Sequence, residues 1–319
     1  MKLILSTEFA DFLKGRLPID VQVVWADSNG NLDGDASDAE VYLNPGLLKP
    51  EVLDKVLNAA PALRWQHTPS AGVNHLLTAT ALSRDIILTN GAGVHAIPIA
   101  EFVIALMLDW AKDLGKLHQL HSEHTWDYRW KDRFFLQELF DKTVLIIGAG
   151  GIGQAIAQRA SAFGMRVWGS RKRPDPLPYF EKIVGEHEWY DLLPAADFVV
   201  LAIPLTHETK GIIDAKVLQT MHSSAYLINI ARGALVDEVA LLTALTEGWI
   251  AGAGIDAFVT EPLPPEHPLW SAPNVFVTPH ISWSSPHTRK RTVDLFLENL
   301  HHYRTGQPLK NVVDRQAGY

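Results

Sequence analysis

Three segments in the second half of the sequence carry side chains suited to proton transfer or anion binding, and each follows an apolar run typical of a buried strand. The segments are Asn229–Gly233, Asp256–Pro262 and Pro279–Ile281. Ligands of open α/β sheets bind outside the carboxyl ends of the strands. We therefore expect Arg232, Glu261 and His280 to converge on one point.

These three side chains suit the reduction of a 2-keto acid. A histidine donates a proton near neutral pH, a carboxylate beside it stabilises the protonated ring, and an arginine fork matches a substrate carboxylate and polarises a carbonyl. We predict His280 as the acid/base, Glu261 as its partner and Arg232 as the substrate anchor. Taken singly, they also fit a structural histidine, a rigid proline-rich loop and a surface ion pair.

A glycine-rich segment lies between an apolar run starting at Thr143 and a helical pattern at Gln154–Phe163. Strand, GxGxxG and helix in this order are typical of a dinucleotide-binding loop, because glycine permits the tight turn and the close approach of a pyrophosphate. The alternative is a purely structural glycine turn. The residues predicted to contact the cofactor here are Gly148, Gly150, Gly151, Ile152 and Gly153.

The end of the next predicted strand indicates which dinucleotide binds. NAD-binding units usually carry an acidic residue about 20 residues after the loop, whereas this chain has Ser170, Arg171, Lys172 and Arg173. A hydroxyl and three cations suit a 2′-phosphate. We predict a preference for NADP(H), with NAD(H) as an alternative if this run is only a solvated charge cluster.

Composition narrows the classes of protein and partner. The 319 residues include no cysteine, which excludes disulfides and thiolate chemistry and suits a cytoplasmic protein. The net charge of 28 − 36 = −8 disfavours nucleic acid and anionic membranes as partners. The most apolar stretch, Ala96–Trp110, is too short and too polar to span a bilayer. His118, His121 and His124 fit a solvated helix end better than a metal site, so we expect no metal.

Short β-branched runs alternate with helical patterns, which predicts an α/β protein with parallel sheets. Five strands are expected in the first hundred residues and six after residue 143, with a long helix, Ile97–His121, between the two series. The amphipathic segment Pro286–Tyr303 has no core of its own, so we expect it to pack on the N-terminal unit. We predict a Rossmann-type doubly wound sheet (98–286) inserted into a smaller flavodoxin-like α/β substrate domain (1–97 plus 287–319).

The chain closely resembles the D-isomer-specific 2-hydroxyacid dehydrogenase family. The resemblance rests on the segments GAGGIG, INIARGALVDE, GIDAFVTEPLP and TPHIS, and it covers almost the whole chain. It implies an Arg–Glu–His site on Arg232, Glu261 and His280, a cleft between two domains, and a homodimer. It favours a dimer contact for the aromatic residues Trp126, Tyr128 and Trp130 over docking on the chain's own core.

The resemblance also implies further ligand contacts. The backbone of Ala71, Gly72 and Val73 is expected to hold the substrate carboxylate, although an ordinary strand-to-helix turn is the alternative. Asp256 is expected to accept a hydrogen bond from the nicotinamide carboxamide. Residues expected to line the rest of the cofactor site are Ile203, Pro204, Ile230 and Ala231.

The basic residues after Ser170 depart from many family members, which have an acid there. This resembles the NADPH-dependent glyoxylate/hydroxypyruvate reductase branch, so glyoxylate or hydroxypyruvate is the first expectation for the substrate. Trp283 is a candidate cap on a small substrate pocket, or an aromatic packed at a hinge. Reduction of phenylpyruvate or another bulky 2-keto acid, and a non-catalytic dinucleotide-sensing regulator, are the alternatives.

Overall fold

The computed structural model describes residues 1–46, 48–126 and 136–315. Two compact units make up the chain: Met1–His95 with Ser285–Tyr319, and Ala96–Ser284. Two members of the predicted aromatic contact, Tyr128 and Trp130, lie outside the described residues. The third, Trp126, is 79% exposed.

The unit that contains both chain termini is built on a five-stranded parallel sheet. Its strands are β1 (Lys2–Ser6), β2 (Gln22–Ala26), β3 (Val41–Leu43), β4 (Trp65–His67) and β5 (Ile87–Thr89). Its helices in this part of the chain are α1 (Ala10–Leu13), α2 (Pro50–Ala59) and α3 (Ala79–Leu82). The strand order β2-β1-β3-β4-β5 is that of flavodoxin-like sheets.

The central unit is built on a seven-stranded parallel sheet. Its strands are β6 (Thr143–Ile147), β7 (Arg166–Ser170), β8 (Lys182–Val184), β9 (Phe198–Leu201), β10 (Tyr226–Asn229), β11 (Gly252–Ile255) and β12 (Val275–Val277). Its helices are α4 (Ala96–Lys112), α5 (Leu114–Ser122), α6 (Gly151–Ala162), α7 (Ala215–Thr220) and α8 (Glu238–Glu247). The order β12-β11-β10-β9-β6-β7-β8 places the switch point of a doubly wound sheet between β6 and β9. The predicted α/β fold class is confirmed.

Two details of the predicted elements are wrong. The sheet has a seventh strand, β8, which the sequence hides because only Val184 of its three residues is buried. The predicted helix Ile97–His121 is two helices, α4 and α5, which Asp113 separates with a left-handed φ of 47°. A lone residue in this conformation interrupts the helical hydrogen bonds without leaving a glycine or proline as a marker.

The C-terminal helix, α9 (Thr288–Thr305), packs on the N-terminal part of its own unit, as predicted. Its buried face contributes Val293, Phe296 and Leu300 to a core with β1 and β4. Phe296 stacks on Trp65 with ring centroids 5.4 Å apart. The helix therefore buries its apolar face against the sheet that the first residues build.

Within the described residues, no helix is both long and apolar enough to cross a membrane.

A fully buried histidine lies at the end of β4. His67 Nδ1 forms a 2.7 Å hydrogen bond with Thr89 Oγ1, and the ring lies near Phe296 with centroids 5.9 Å apart. Burial lowers the pKa of His67 to about 3, because the charged ring would lose its hydration. The native state therefore keeps this imidazole neutral.

Stability should carry the signature of this neutral ring. Unfolding restores an ordinary histidine pKa of about 6.5, so the unfolded chain binds one more proton than the native chain as pH falls from about 6.5 towards 3. At pH 5.0 this costs about 2 kcal/mol of unfolding free energy relative to pH 7.5. Urea unfolding at both pH values measures this difference. Between pH 7.5 and pH 5.0, we expect the unfolding free energy of His67→Phe to fall by about 2 kcal/mol less than that of the wild type. Equal losses would show that His67 is not buried in the neutral form.

Candidate active site

The structure brings two of the predicted catalytic side chains into direct contact. His280 Nδ1 lies 2.8 Å from Glu261 Oε2, and the two side chains are 34% and 38% exposed. The other carboxylate oxygen, Glu261 Oε1, accepts a 2.9 Å hydrogen bond from the backbone N–H of Phe258. Glu261 is thus fixed at one oxygen while the second faces the histidine ring.

The loop that carries His280 is held by a buried carboxylate. Asp256 is fully buried and accepts hydrogen bonds from Thr278 Oγ1 at 2.6 Å, Ile281 N at 2.9 Å and Ser282 N at 3.0 Å. These bonds bracket His280, whose φ of 51° is unusual for a residue other than glycine. The expected contact of Asp256 with a nicotinamide stays a prediction, and the structure adds this holding role.

Trp283 is anchored to the same loop. Its Nε1 donates a 2.8 Å hydrogen bond to the backbone carbonyl of His280, and its side chain is 43% exposed. The indole therefore presents part of its surface to solvent at a fixed position beside the histidine. The expected role as a pocket cap stays a prediction.

Arg232 is positioned by a short loop after β10. Buried Asn229 donates to the Arg232 carbonyl at 2.9 Å and accepts from Ala231 N at 3.1 Å. The guanidinium donates to the Ala231 carbonyl at 2.6 Å. Although Arg232 is exposed, desolvation by surrounding protein lowers its pKa, and the negative charge of Glu261 acts in the opposite direction. Arg232 therefore lies within electrostatic range of Glu261, and the arginine stays charged.

Gly233 lets the arginine and glutamate segments meet. A Cβ on this residue would lie 1.9 Å from Phe258 C and 2.3 Å from Val259 N, a separation that no side chain tolerates. The peptide bond between Phe258 and Val259 thus lies directly against the residue after Arg232. Only glycine allows this approach.

The predicted phosphate loop also depends on close backbone approaches. Gly148 has a φ of 107°, and a Cβ there would lie 2.4 Å from the Ala202 carbonyl oxygen. A Cβ on Gly153 would lie 2.2 Å from the carbonyl oxygen of Gly148. Helix α6 begins at Gly151, so the predicted start at Gln154 is wrong, because the helix absorbs the end of the glycine motif. A Cβ on Gly150 would meet no atom within 4 Å, so the loop leaves open space in front of the helix.

The basic run borders this open space. Ala149, Gly150, Arg171, Lys172 and Arg173 line a cavity of about 400 Å³. Among the described residues, none of the three cations forms an ion pair. Unpaired cations beside a glycine loop and a helix N-terminus fit the phosphates of a dinucleotide.

Other predicted cofactor residues surround the carboxyl ends of β7, β9 and β10. Ser170 is buried, and its carbonyl accepts from Gly148 N at 3.1 Å and Ala149 N at 2.8 Å. Ile203 Cγ2 would lie 2.8 Å from a Cβ on Gly148. The remaining predicted residues differ in exposure: Ile152 is half-buried, Gly151 and Pro204 are exposed, and Ile230 and Ala231 are buried.

The predicted substrate loop lies in the other unit. Ala71 is exposed, Gly72 is half-buried and Val73 is buried. Within the described residues, no hydrogen bond occupies the backbone N–H groups of these three. Asn90 Nδ2 donates to the Ala71 carbonyl at 2.9 Å, so that carbonyl is already held. The N–H groups remain available for an anion.

Sequence reasoning missed the residues that hold the predicted catalytic residues in place. Asn229 and Glu238 both lie in the INIARGALVDE segment, but there they read as a strand end and a helix start. Their contacts with Ala231 N and Val259 N, respectively, appear only in the folded chain. In the part of the chain that the structure describes, no three acidic or histidine side chains lie close enough together to hold a metal ion.

Comparison with known proteins gives a consistent family signal. Residues 104–282 match the model of the D-isomer specific 2-hydroxyacid dehydrogenase, NAD binding domain. A glyoxylate reductase from Korarchaeum cryptofilum is 37% identical over 276 residues, which are 85% of this chain and 82% of the relative.

Two solved structures share the whole fold. One is a D-isomer specific 2-hydroxyacid dehydrogenase family protein from Aeromonas salmonicida, with 30% identity and a TM-score of 0.85 over 98% of this chain and 99% of that chain. The other is an NADPH-dependent glyoxylate/hydroxypyruvate reductase from Sinorhizobium meliloti in complex with NADP and sulfate. It has 28% identity and a TM-score of 0.84 over 100% of this chain and 99% of that chain.

The tight contact at Gly233 makes a stability prediction. Gly233→Ala should lower the unfolding free energy by about 1–3 kcal/mol, because the added methyl group forces the 258–259 backbone away. Gly115→Ala is the matched control, since a Cβ there meets no atom within 4 Å and alanine favours the helix. Urea unfolding of both variants measures the difference. A Gly233→Ala protein as stable as the control would contradict the close approach.

Proposed function

We propose that this chain, which belongs to the D-isomer specific 2-hydroxyacid dehydrogenase family, uses NADPH to reduce a small 2-keto acid to the D-2-hydroxy acid. Membership makes it an NAD(P)-dependent oxidoreductase with a nicotinamide dinucleotide as cofactor. The observation that carries the proposal is the 2.8 Å contact between His280 and Glu261, within electrostatic reach of Arg232. When bound, the dinucleotide supplies the hydride.

His280 donates the proton in this proposal. Glu261 occupies Nδ1, and no described residue bonds Nε2, so Nε2 is the atom that delivers a proton to the substrate oxygen. Glu261 fixes the ring tautomer and stabilises the charged ring before the transfer. After the transfer the histidine is neutral, and solvent at the half-exposed ring restores the proton.

Arg232 and the substrate loop have complementary tasks in this proposal. The guanidinium provides a planar fork of donors that matches the substrate carboxylate. It also stabilises the negative charge that develops on the carbonyl oxygen. In the other unit, the unoccupied N–H groups of Ala71, Gly72 and Val73 are donors that also suit a carboxylate. Both elements recognise the acid group that all 2-keto acids share.

NADPH is favoured over NADH by the unpaired cations at the cavity. Arg171 offers bidentate hydrogen bonds to a 2′-phosphate, and Lys172 and Arg173 add positive charge. The neighbouring structure from Sinorhizobium meliloti is named as an NADPH-dependent reductase, which supports this assignment.

The names of the relatives support glyoxylate or hydroxypyruvate as substrate. The fixed indole of Trp283 beside His280 favours a small side chain over a bulky one. We also propose that the chain works as a homodimer, as its resemblance to the family implies.

Removal of the catalytic side chains tests the site. His280→Ala and Arg232→Ala should each lower kcat with glyoxylate or hydroxypyruvate by a factor of about 10² to 10⁴, because the proton donor or the carboxylate anchor is lost. NADPH affinity, measured by fluorescence titration, should stay within about twofold of the wild type, since neither residue lines the cofactor cavity. Full turnover in either variant would overturn the assignment.

Reversal of one charge tests cofactor choice. Arg171→Asp should shift the ratio of kcat/KM for NADPH to that for NADH by roughly 10-fold to 100-fold towards NADH, because a charge-assisted hydrogen bond is lost and repulsion is added. Lys216→Asp, an equal charge change at an exposed position of α7, is the control and should leave the ratio unchanged. An unchanged ratio in Arg171→Asp would show that the basic run does not read the 2′-phosphate.

A further inference from the structure

Glu238 is an acidic residue that lies outside the catalytic group but contacts the loop that carries Glu261. It is the first residue of α8, where the side chain of Asp237 caps the helix. Its side chain is only 21% exposed. A carboxylate at this position lies next to the free N–H groups of the first helical turn.

Glu238 contacts the beginning of the Glu261 loop. Its Oε1 accepts a 2.9 Å hydrogen bond from the backbone N–H of Val259. The preceding N–H, that of Phe258, donates to Glu261 Oε1 at 2.9 Å. Two consecutive peptide N–H groups are therefore bound by two different carboxylates, one catalytic and one not.

Glu238 also contacts the end of the same loop. Its Oε2 lies 3.6 Å from His267 Nε2. His267 Nδ1 accepts from Leu269 N at 3.4 Å, so the ring proton of a neutral imidazole lies on Nε2 and faces the carboxylate. One side chain thus binds the start of segment 259–267 and lies near its end, with Glu261 between them.

The peptide that Glu238 binds also contacts the segments that carry Arg232 and Glu261. The Phe258–Val259 peptide lies against Gly233, which follows Arg232, and its neighbouring N–H binds Glu261. A rotation of this peptide would therefore move Glu261 away from His280. Catalytic groups displaced by about 1 Å lose large factors in rate.

We propose that Glu238 is a positioning residue, whose carboxylate clamps the backbone N–H of Val259 at the start of segment 259–267 and thereby holds Glu261 against His280. The proposal rests on the function proposed above for the pair. It assigns Glu238 no contact with substrate or cofactor, so its effect falls on turnover and not on binding.

Three substitutions separate the clamp from simple helix stability. Glu238→Gln keeps an oxygen acceptor for Val259 N–H and should retain kcat within about twofold. Glu238→Leu keeps side-chain bulk and helix propensity but removes the acceptor, and should lower kcat about 10-fold with KM and NADPH affinity within about twofold. Glu247→Ala, at the exposed far end of α8, is the control and should behave as the wild type. Glu238→Ala replaces Glu238→Leu if the leucine protein does not fold.

A double substitution tests whether the effect passes through Glu261. In a Glu261→Ala background, Glu238→Leu should lower the residual kcat by less than about twofold, because the group that it positions is already absent. A 10-fold loss in both backgrounds would overturn the proposal. So would wild-type turnover in Glu238→Leu, or equal losses in Glu238→Leu and Glu238→Gln.

Hydrogen–deuterium exchange gives a readout that needs no turnover. The peptide that covers residues 256–263 should exchange faster in Glu238→Leu than in the wild type, and at the wild-type rate in Glu238→Gln. Unchanged exchange in Glu238→Leu would contradict the clamp. If the wild type reduces no 2-keto acid but exchange responds in this way, the clamp stands and the proposed function of the pair fails.

Discussion

The buried carboxylate of Asp256 is the constraint on which the geometry of the proposed catalytic group depends. A charge without solvent contact is costly unless donors surround it, and three donors, from Thr278, Ile281 and Ser282, do so here. All three belong to the segment around His280. The cost of leaving that carboxylate unpaired therefore keeps the histidine loop in place, including its left-handed residue.

Strand order explains how distant residues meet. Strands β10, β11 and β12 are neighbours in a parallel sheet, so the loops after them lie side by side at one edge. These loops supply Arg232, Glu261 and His280. Gly233 then removes the remaining steric barrier between the first two loops. The sheet brings the three loops close together, and Gly233 and the buried hydrogen bonds fix the positions of the side chains that the loops carry.

The alternation of apolar runs and helical patterns predicted both sheets, and the strand-end positions predicted that Glu261 and His280 lie in contact, with Arg232 in the neighbouring loop. Features that depend on tertiary contacts escaped prediction. Strand β8 shows no apolar run because its edge position buries a single residue. Asp113 breaks a helix through its backbone angle alone. The clamp by Glu238 depends on a loop conformation that no local pattern encodes.

The most direct test of the central claim mixes the wild-type chain with a panel of 2-keto acids and either NADPH or NADH. Oxidation of the cofactor is followed as the loss of its dihydronicotinamide absorbance. We expect turnover with NADPH and glyoxylate or hydroxypyruvate, slower turnover with NADH, and little with phenylpyruvate. Tight NADPH binding without oxidation of NADPH in the presence of any 2-keto acid would contradict catalysis by His280, Glu261 and Arg232. That result would favour a dinucleotide-sensing role.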